Sequence, residues 1–234
     1  MLRACLYLLI FVPWTIFCTF FAMLATYIDR SGRTYHRFAL LWSKGCLFAA
    51  GIRLVVEGAE HLPSDQPLIF MGNHQSYFDI PVLFQATSLP FAWLAKEELF
   101  RIPLFGHSLR AAGYIPINRG NGRDSLKSLN RAAELVKAGR SVAIFPEGTF
   151  TADGNLLPFK RGGFILAAMS GVPIAPFSIS GARKVTPPGS FLRLNPGVIT
   201  IQFSPVIEID AAVARHPTLL MEQVRRAIAS GLER

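Results

Sequence analysis

The sequence predicts an α/β fold: a mixed, largely parallel sheet flanked by helices, with a membrane-associated helical segment ahead of it. Three observations predict this. Beyond residue 52, short apolar, β-rich runs alternate with stretches of helical period, the pattern of a sheet with helices on its faces. At 234 residues the chain has room for one domain with a full core plus an appendage. Residues 4–28 carry no charge, and as a helix they would cross ~30 Å of hydrocarbon. The expected division is a membrane-anchoring helical segment at 1–52 and an α/β domain at 53–234.

Taken in order, residues 4–28 form the first helix, with Pro13 placed to kink it. A secretory signal would have a shorter apolar core and a small-residue cleavage site, and neither is evident. Residues 38–52 are apolar except for Lys44 and suit a helix lying in the membrane interface. Both a straight span and a helix pair dipping into one leaflet fit this pattern. Arg3 precedes the first segment, whereas Arg30, Arg33, Arg37 and Lys44 follow it. That asymmetry predicts an inner (cytoplasmic) membrane location with the α/β domain facing the cytoplasm.

Short strands are expected at 53–57, 67–71, 91–95, 113–117 and 141–145. Between the last two, Leu126, Leu129, Ala133 and Val136 mark one helical face, with Asp124 or Ser125 as its cap and Gly139 at its end. Residues 164–169 read as helix, 172–179 and 198–203 as strands, and 218–232 as a closing helix. Pro173 and Pro176 suit an edge strand or a shaped wall better than a central ladder. No internal repeat or low-complexity linker interrupts the alternation.

The composition is 51% hydrophobic and 17% charged, with 24 Lys and Arg against 15 Asp and Glu, a net charge of +9. A basic surface suits anionic lipid, phosphorylated substrates or nucleic acid. No Lys/Arg run or recognition motif is present, so nucleic acid is not an expected partner. Cys5, Cys18 and Cys46 all lie in the apolar N-terminal stretches, without metal spacing or a disulfide framework, which fits a reducing compartment. A Gly-x-Ser-x-Gly elbow and a Walker phosphate loop are missing, and Gly120-Asn-Gly122 lacks the rest of a dinucleotide fingerprint. His36, His61, His107 and His216 show no metal-ligand spacing and read as surface or core residues. No metal and no cofactor is expected.

Residues 71–79 read MGNHQSYFD, directly after the apolar run Pro67-Leu68-Ile69-Phe70. Five residues on a regular helix turn through roughly 500°, which would point His74 and Asp79 apart. They can pair only if His74 sits in the turn and Asp79 in the first helical turn, folding back. A polar helix cap would use the same residue types. Other strand ends carry matching features. Phe145-Pro-Glu-Gly-Thr149 puts an acid and a glycine turn at one, and Gly113-Tyr-Ile-Pro-Ile-Asn-Arg119 ends another on an arginine.

Four blocks then occur in order over residues 70–180: Asn73-His74 with Asp79, the Gly113–Arg119 block, Pro146-Glu-Gly-Thr149 and Val172-Pro-Ile-Ala-Pro176. In this order the set resembles the glycerolipid acyltransferases typified by lysophosphatidic acid (1-acyl-sn-glycerol-3-phosphate) acyltransferase. Lys96-Glu-Glu-Leu99, Ile102-Pro-Leu-Phe-Gly106 and Pro158-Phe-Lys-Arg-Gly162 are similar to that family's intervening sequence. The resemblance implies transfer of a fatty acyl group from acyl-CoA or acyl carrier protein to the free hydroxyl of a lysophospholipid acceptor at a membrane, giving phosphatidic acid. It makes His74 the general base and Asp79 its orienting partner. By the same resemblance Asn73, Arg119, Glu147, Gly148, Thr149, Lys160 and Arg161 bind substrate, with Arg119 gripping the acceptor phosphate. Ser76 reads as a turn residue, since the attacking oxygen belongs to the lipid.

Two departures bear on the acceptor. Phe150 follows Thr149 where the family often has arginine, and Asn118 precedes Arg119 where it often has an acid. They keep open an acyltransferase for another lysolipid, a lysophospholipid or lyso-aminolipid. A catalytically silent membrane lipid-binding protein would retain the blocks for lipid contact alone, and the intact His74 and Asp79 argue against it.

Overall fold

A computed structural model describes residues 2–29, 32–118, 122–151, 153–187, 189–190, 192–210 and 216–232, with 122 and 123 as backbone only. Two helices come first, α1 (Leu2–Ile28) and α2 (Arg33–Ala50). Seven strands follow: β1 (Ile52–Glu57), β2 (Ile69–Gly72), β3 (Phe91–Lys96), β4 (Ile115–Ile117), β5 (Ser141–Ile144), β6 (Ile174–Ser180) and β7 (Gly197–Phe203). Between and after them lie α3 (Asp79–Ala86), α4 (Phe105–Ala111), α5 (Gly122–Lys137), α6 (Gly162–Ser170), α7 (Ala182–Val185) and α8 (Pro217–Ser230).

The strands form one sheet in the order β1-β7-β6-β2-β5-β3-β4, parallel except for the β6–β7 pair. This is the mixed, largely parallel sheet expected from the alternation. Its central strands are buried on both faces, which is why they read as continuous apolar runs. In β2 the side chains alternate: Phe70 joins one core with Phe84, Phe91, Trp93 and Phe203, while Ile69 and Met71 join a second with Leu129, Phe164 and Val224. Helices α2 and α3 cover the first face, and α5, α6 and α8 the second.

One expectation is corrected. β6 lies in the sheet interior between β7 and β2, not at an edge. Pro173 precedes the strand. Pro176 is accommodated because residues 174 and 176 turn their backbone polar groups away from β2: the Ile174 N–H goes to the Ile207 carbonyl, and the Pro176 carbonyl accepts the Ser204 N–H. The β7 ladder begins only at Phe177, so the missing proline N–H leaves no gap in either ladder. A smaller correction concerns α5. Its first residue is Gly122, which puts Asp124 inside the first turn, and the Ser125 hydroxyl bonds the Asn118 carbonyl instead of capping the helix.

The helix pair is antiparallel and tied at both ends. Arg3 Nη2 donates to the Ala50 carbonyl at 2.9 Å, joining the start of α1 to the end of α2. At the other end the Asp29 carboxylate accepts the Thr34 N–H and hydroxyl, both at 2.8 Å. Midway, Trp14 Nε1 donates to the Trp42 carbonyl and Trp42 Nε1 to the Thr15 hydroxyl. A Cβ at Gly45 would lie 2.2 Å from Trp14 Nε1, so only glycine lets the indole lie against α2. α1 runs as one helix through Pro13, and it is long and apolar enough to cross a membrane. The cap of α2 also meets the domain. A Cβ at Gly32 would fall 2.5 Å from Arg140 Nη2, and that same nitrogen donates to the Ala112 carbonyl. Leu6, Leu9, Ile10, Ile16, Phe20 and Leu24 of α1 remain exposed.

Candidate active site

The site follows from strand register. β2 and β5 are parallel neighbours, with Ile69 beside Val142 and Met71 beside Ile144. Continued three places past Met71, this register brings His74 next to Glu147, at the carboxyl ends where ligands gather in such sheets. The His74 N–H donates to Glu147 Oε1 at 2.9 Å. On the other side β6 lies beside β2, with Gly72 opposite Phe177. There the Asn73 amide bridges one residue, donating to the Ile179 carbonyl at 2.8 Å and accepting its N–H at 2.7 Å.

The chain turns at 73–78, and Asp79 opens α3. His74 Nδ1 lies 2.9 Å from Asp79 Oδ2, which also accepts the N–H groups of Gln75 and Ser76 at 2.6 and 2.9 Å. Asp79 is fully buried, and its Oδ1 has no partner among the described residues. Three donors converging on one oxygen fix the carboxylate, which in turn fixes the imidazole and makes Nδ1 the protonated nitrogen. Nε2 is left as the basic atom. The ring is 14% exposed, stacked on Phe145 at 3.8 Å and flanked by Phe150 at 4.1 Å.

Glu147 is buried, and both of its oxygens accept backbone N–H groups, from His74 and from Leu157 at 2.7 Å. Burial pushes this carboxyl up, while the two N–H donors and the charges of His74 and Arg225 pull it back. Gly148 turns the chain with φ +76°, and a Cβ there would sit 2.9 Å from Lys160 Cε. Lys160 thus lies across the glycine turn. Its side chain lines a cavity of about 190 Å³ with Ser125, Ile144, Pro146 and Gly162, near the amino end of α6. A second, apolar cavity of about 100 Å³ runs between the helix pair and the sheet, lined by Cys18, Ala22, Tyr35, Trp42, Trp93 and Tyr114. Trp93 stacks on Phe145 at 5.1 Å, so two rings separate this cavity from His74.

His74, Asp79, Glu147, Gly148 and Lys160 are therefore brought together. Asn73 stands beside them with both ends of its amide spent on Ile179, a tie between strands where a substrate contact was expected. Thr149 is exposed. Arg161 is also exposed, where α6 begins, and its carbonyl accepts the first helical N–H groups. Arg119 lies outside the described residues. Sequence reasoning missed Phe145 and Trp93. The signal was available for Phe145, because it is the first residue past β5, beside the position where the β2 turn begins.

The sequence profile of the Acyltransferase family matches residues 53–180. The chain belongs to that family. Its profile match covers both sides of the site, from β1 to the end of β6. This acyltransferase-family chain is 36% identical over 206 residues to a chloroplastic 1-acyl-sn-glycerol-3-phosphate acyltransferase of Brassica napus, covering 87% of the chain and 58% of the relative. It is 33% identical over 147 residues to the 1-acyl-sn-glycerol-3-phosphate acyltransferase of Borreliella burgdorferi, covering 61% of the chain and 59% of the relative. The chain thus spans about half to three fifths of the length of the curated relatives it matches most strongly. The crystal structure of the 1-acyl-sn-glycerophosphate acyltransferase PlsC from Thermotoga maritima superposes with a TM-score of 0.84 at 26% identity. That match covers 99% of this chain and 94% of the other.

Proposed function

We propose that this chain transfers a fatty acyl group from a thioester, acyl-CoA or acyl carrier protein, to the free hydroxyl of 1-acyl-sn-glycerol-3-phosphate, giving phosphatidic acid. The observation that carries the reading is the buried Asp79 carboxylate at 2.9 Å from His74 Nδ1 at the carboxyl ends of the central strands. His74 Nε2 takes the proton of the acceptor hydroxyl as that oxygen attacks the thioester carbonyl. The imidazolium so formed is stabilised by Asp79. The tetrahedral intermediate collapses with loss of the C–S bond, and His74 returns the proton to the departing thiolate. The names of the relatives support the acceptor.

On this reading the acceptor phosphate lies at the Lys160 cavity, with Arg161 as a further cation, and Arg119 keeps the phosphate role that the family resemblance implies. Phe150, tilted against His74 where the family often has arginine, favours a second reading with a masked head group. The helix pair seats the domain on the membrane. With α1 tied along α2 and the α2 cap at Gly32 set against Arg140, the helix pair lies along one leaflet with the site on the cytoplasmic side.

The test is thiol release from acyl-CoA with lysophosphatidate and with head-group-masked lysolipids of equal chain length. Lysophosphatidate should be preferred, and His74→Ala should lose ~10²–10⁴-fold in turnover while remaining folded. Turnover of His74→Ala near the wild-type rate would refute the base assignment. Preference for the masked lipids would select the second reading.

A further inference from the structure

The loop from β5 to α6 grips the main chain of His74 from two sides. Glu147 accepts the His74 N–H, and the Thr151 N–H donates to the His74 carbonyl at 3.0 Å. The loop is held in turn at its far end. The Leu157 N–H donates to Glu147 Oε2, and the Lys160 N–H to the Pro146 carbonyl at 2.8 Å. One further anchor comes from the C-terminal helix. Arg225 of α8 donates through Nη1 to the Leu157 carbonyl at 2.7 Å and through Nη2 to the Leu156 carbonyl at 2.8 Å. Its guanidinium also lies over the Phe159 ring, 5.3 Å from the centroid.

The peptide of Leu157 is therefore clamped on both sides, its N–H by Glu147 and its carbonyl by Arg225. The buried side of α8 packs through Leu220, Val224 and Ile228 into the core shared with α6, so Arg225 projects from a rigid base. The path Arg225–Leu157–Glu147–His74 consists of charge-assisted hydrogen bonds of 2.7 to 2.9 Å. Nothing in it touches the reacting atoms. It sets where the His74 backbone stands, and with it the reach of Nε2.

We propose that Arg225 is a positioning residue for acyl transfer, holding the Leu157 peptide against Glu147 so that Glu147 holds His74 in register with the substrate hydroxyl. The proposal rests on His74 being the base. A displacement of about 1 Å at a reacting group costs up to ~10²-fold. The half-buried carbonyls of Leu156 and Leu157 can take water once Arg225 is gone, so the loop loosens without collapsing.

The experiment uses the full-length chain in detergent–lipid mixed micelles, with kcat expressed per folded molecule. Arg225→Met keeps the apolar stem and removes both donors. It should lower kcat about tenfold or more with both KM values within about threefold of wild type. Arg226→Met, the neighbouring exposed arginine, controls for loss of charge and should leave kcat unchanged. Glu147→Gln breaks the same path, so Arg225→Met should add less than about twofold on that background. A helix role limited to stability would lower the folded fraction, leave kcat per folded molecule alone and combine multiplicatively with Glu147→Gln, and that result overturns the proposal. If Arg225→Met does not fold, Arg225→Gln carries the same test, since its shorter, neutral amide cannot hold the two carbonyls as the guanidinium does, and wild-type kcat in that variant overturns the proposal equally. Absence of transfer by the wild-type chain, by contrast, would sink the functional reading itself.

Discussion

Asp79→Asn isolates one quantity at this site, the charge behind the imidazole. The carboxylate oxygen Oδ2 accepts three donors: His74 Nδ1–H and the N–H groups of Gln75 and Ser76. An asparagine presents either its oxygen or its NH₂ at that place. With the NH₂ there, two buried N–H groups would face another donor at under 3 Å, each losing its acceptor at ~1–3 kcal/mol. The oxygen therefore stays, and His74 keeps both its tautomer and its orientation. What is lost is the difference between a charged and a neutral acceptor for the imidazolium that forms during transfer. Hydrogen bonds to charged groups are worth ~1.5–3 kcal/mol against ~1 for neutral ones. The loss thus falls at about 0.5–2 kcal/mol, with electrostatic stabilisation of the buried imidazolium at the upper end. At 1.36 kcal/mol per decade this predicts a fall in kcat of roughly 2- to 30-fold, short of the upper range expected for His74→Ala. Thiol release measured at saturating donor and acceptor checks it. A loss as large as that of His74→Ala would show that the imidazole had flipped or changed tautomer, and the argument from the two backbone donors would be wrong. An unchanged kcat would remove Asp79 from catalysis altogether.

Gly148→Ala forces an L-residue into φ +76° against Lys160; a cost of ~1–2 kcal/mol should lower Tm by about 2–8 °C, read by calorimetry. His36 is buried between Phe84 and Phe91, with Nε2 unpartnered, and burial pushes its pKa down from 6.5 to about 4. The unfolded chain therefore binds the extra proton first, so this group's stabilisation is complete above about pH 6.5 and is lost as pH falls towards 4, by about 3 kcal/mol. The denaturant midpoint of wild type should therefore fall relative to that of His36→Leu as pH drops from about 6.5 towards 4, the gap widening at low pH, and parallel curves would contradict it. Membranes carrying the full-length chain should retain it through a high-salt wash, because burial of the exposed apolar residues of α1 is not screened. Quantitative release by salt alone would show the attachment to be electrostatic.

Much of the fold was legible because the relevant signals are local. The apolar run at 141–144 could bury on both faces and the alternation Ile199, Ile201, Phe203 on one, and the spacing of Leu129, Ala133 and Val136 fixed one helical face, which the second core receives. α4 escaped because seven residues opening Phe-Gly-His carry too little period to register, and its start depends on Leu104 holding φ +62°. Pro176 misled because a missing N–H matters only on the side where a ladder needs it, and sides are set by register. Within the site, His74 and Asp79 were visible as types at a spacing. The duties of Asn73 and Glu147 were not, since both are spent on backbone groups of segments far away in sequence, Ile179 and His74. Arg225 stood in the expected closing helix with nothing to mark it, 68 residues beyond the carbonyl it holds.

The antiparallel tie of α1 to α2 has a consequence for the proposed encounter with the acceptor. A helix that projected away would act as a tether, and the active site would sample lipid from the aqueous side at a bulk concentration. On the proposed reading α1 lies flat, and its exposed Leu6, Leu9, Ile16 and Phe20 would fix instead the height of the site above the hydrocarbon. Encounter then becomes a two-dimensional search, in which the relevant quantity is the mole fraction of acceptor in the leaflet. At saturating donor, diluting the acceptor with inert phospholipid at constant total acceptor should slow turnover, whereas diluting the whole suspension with donor-containing buffer should not. Turnover would accordingly follow the local composition of the leaflet, rising wherever lysolipid collects.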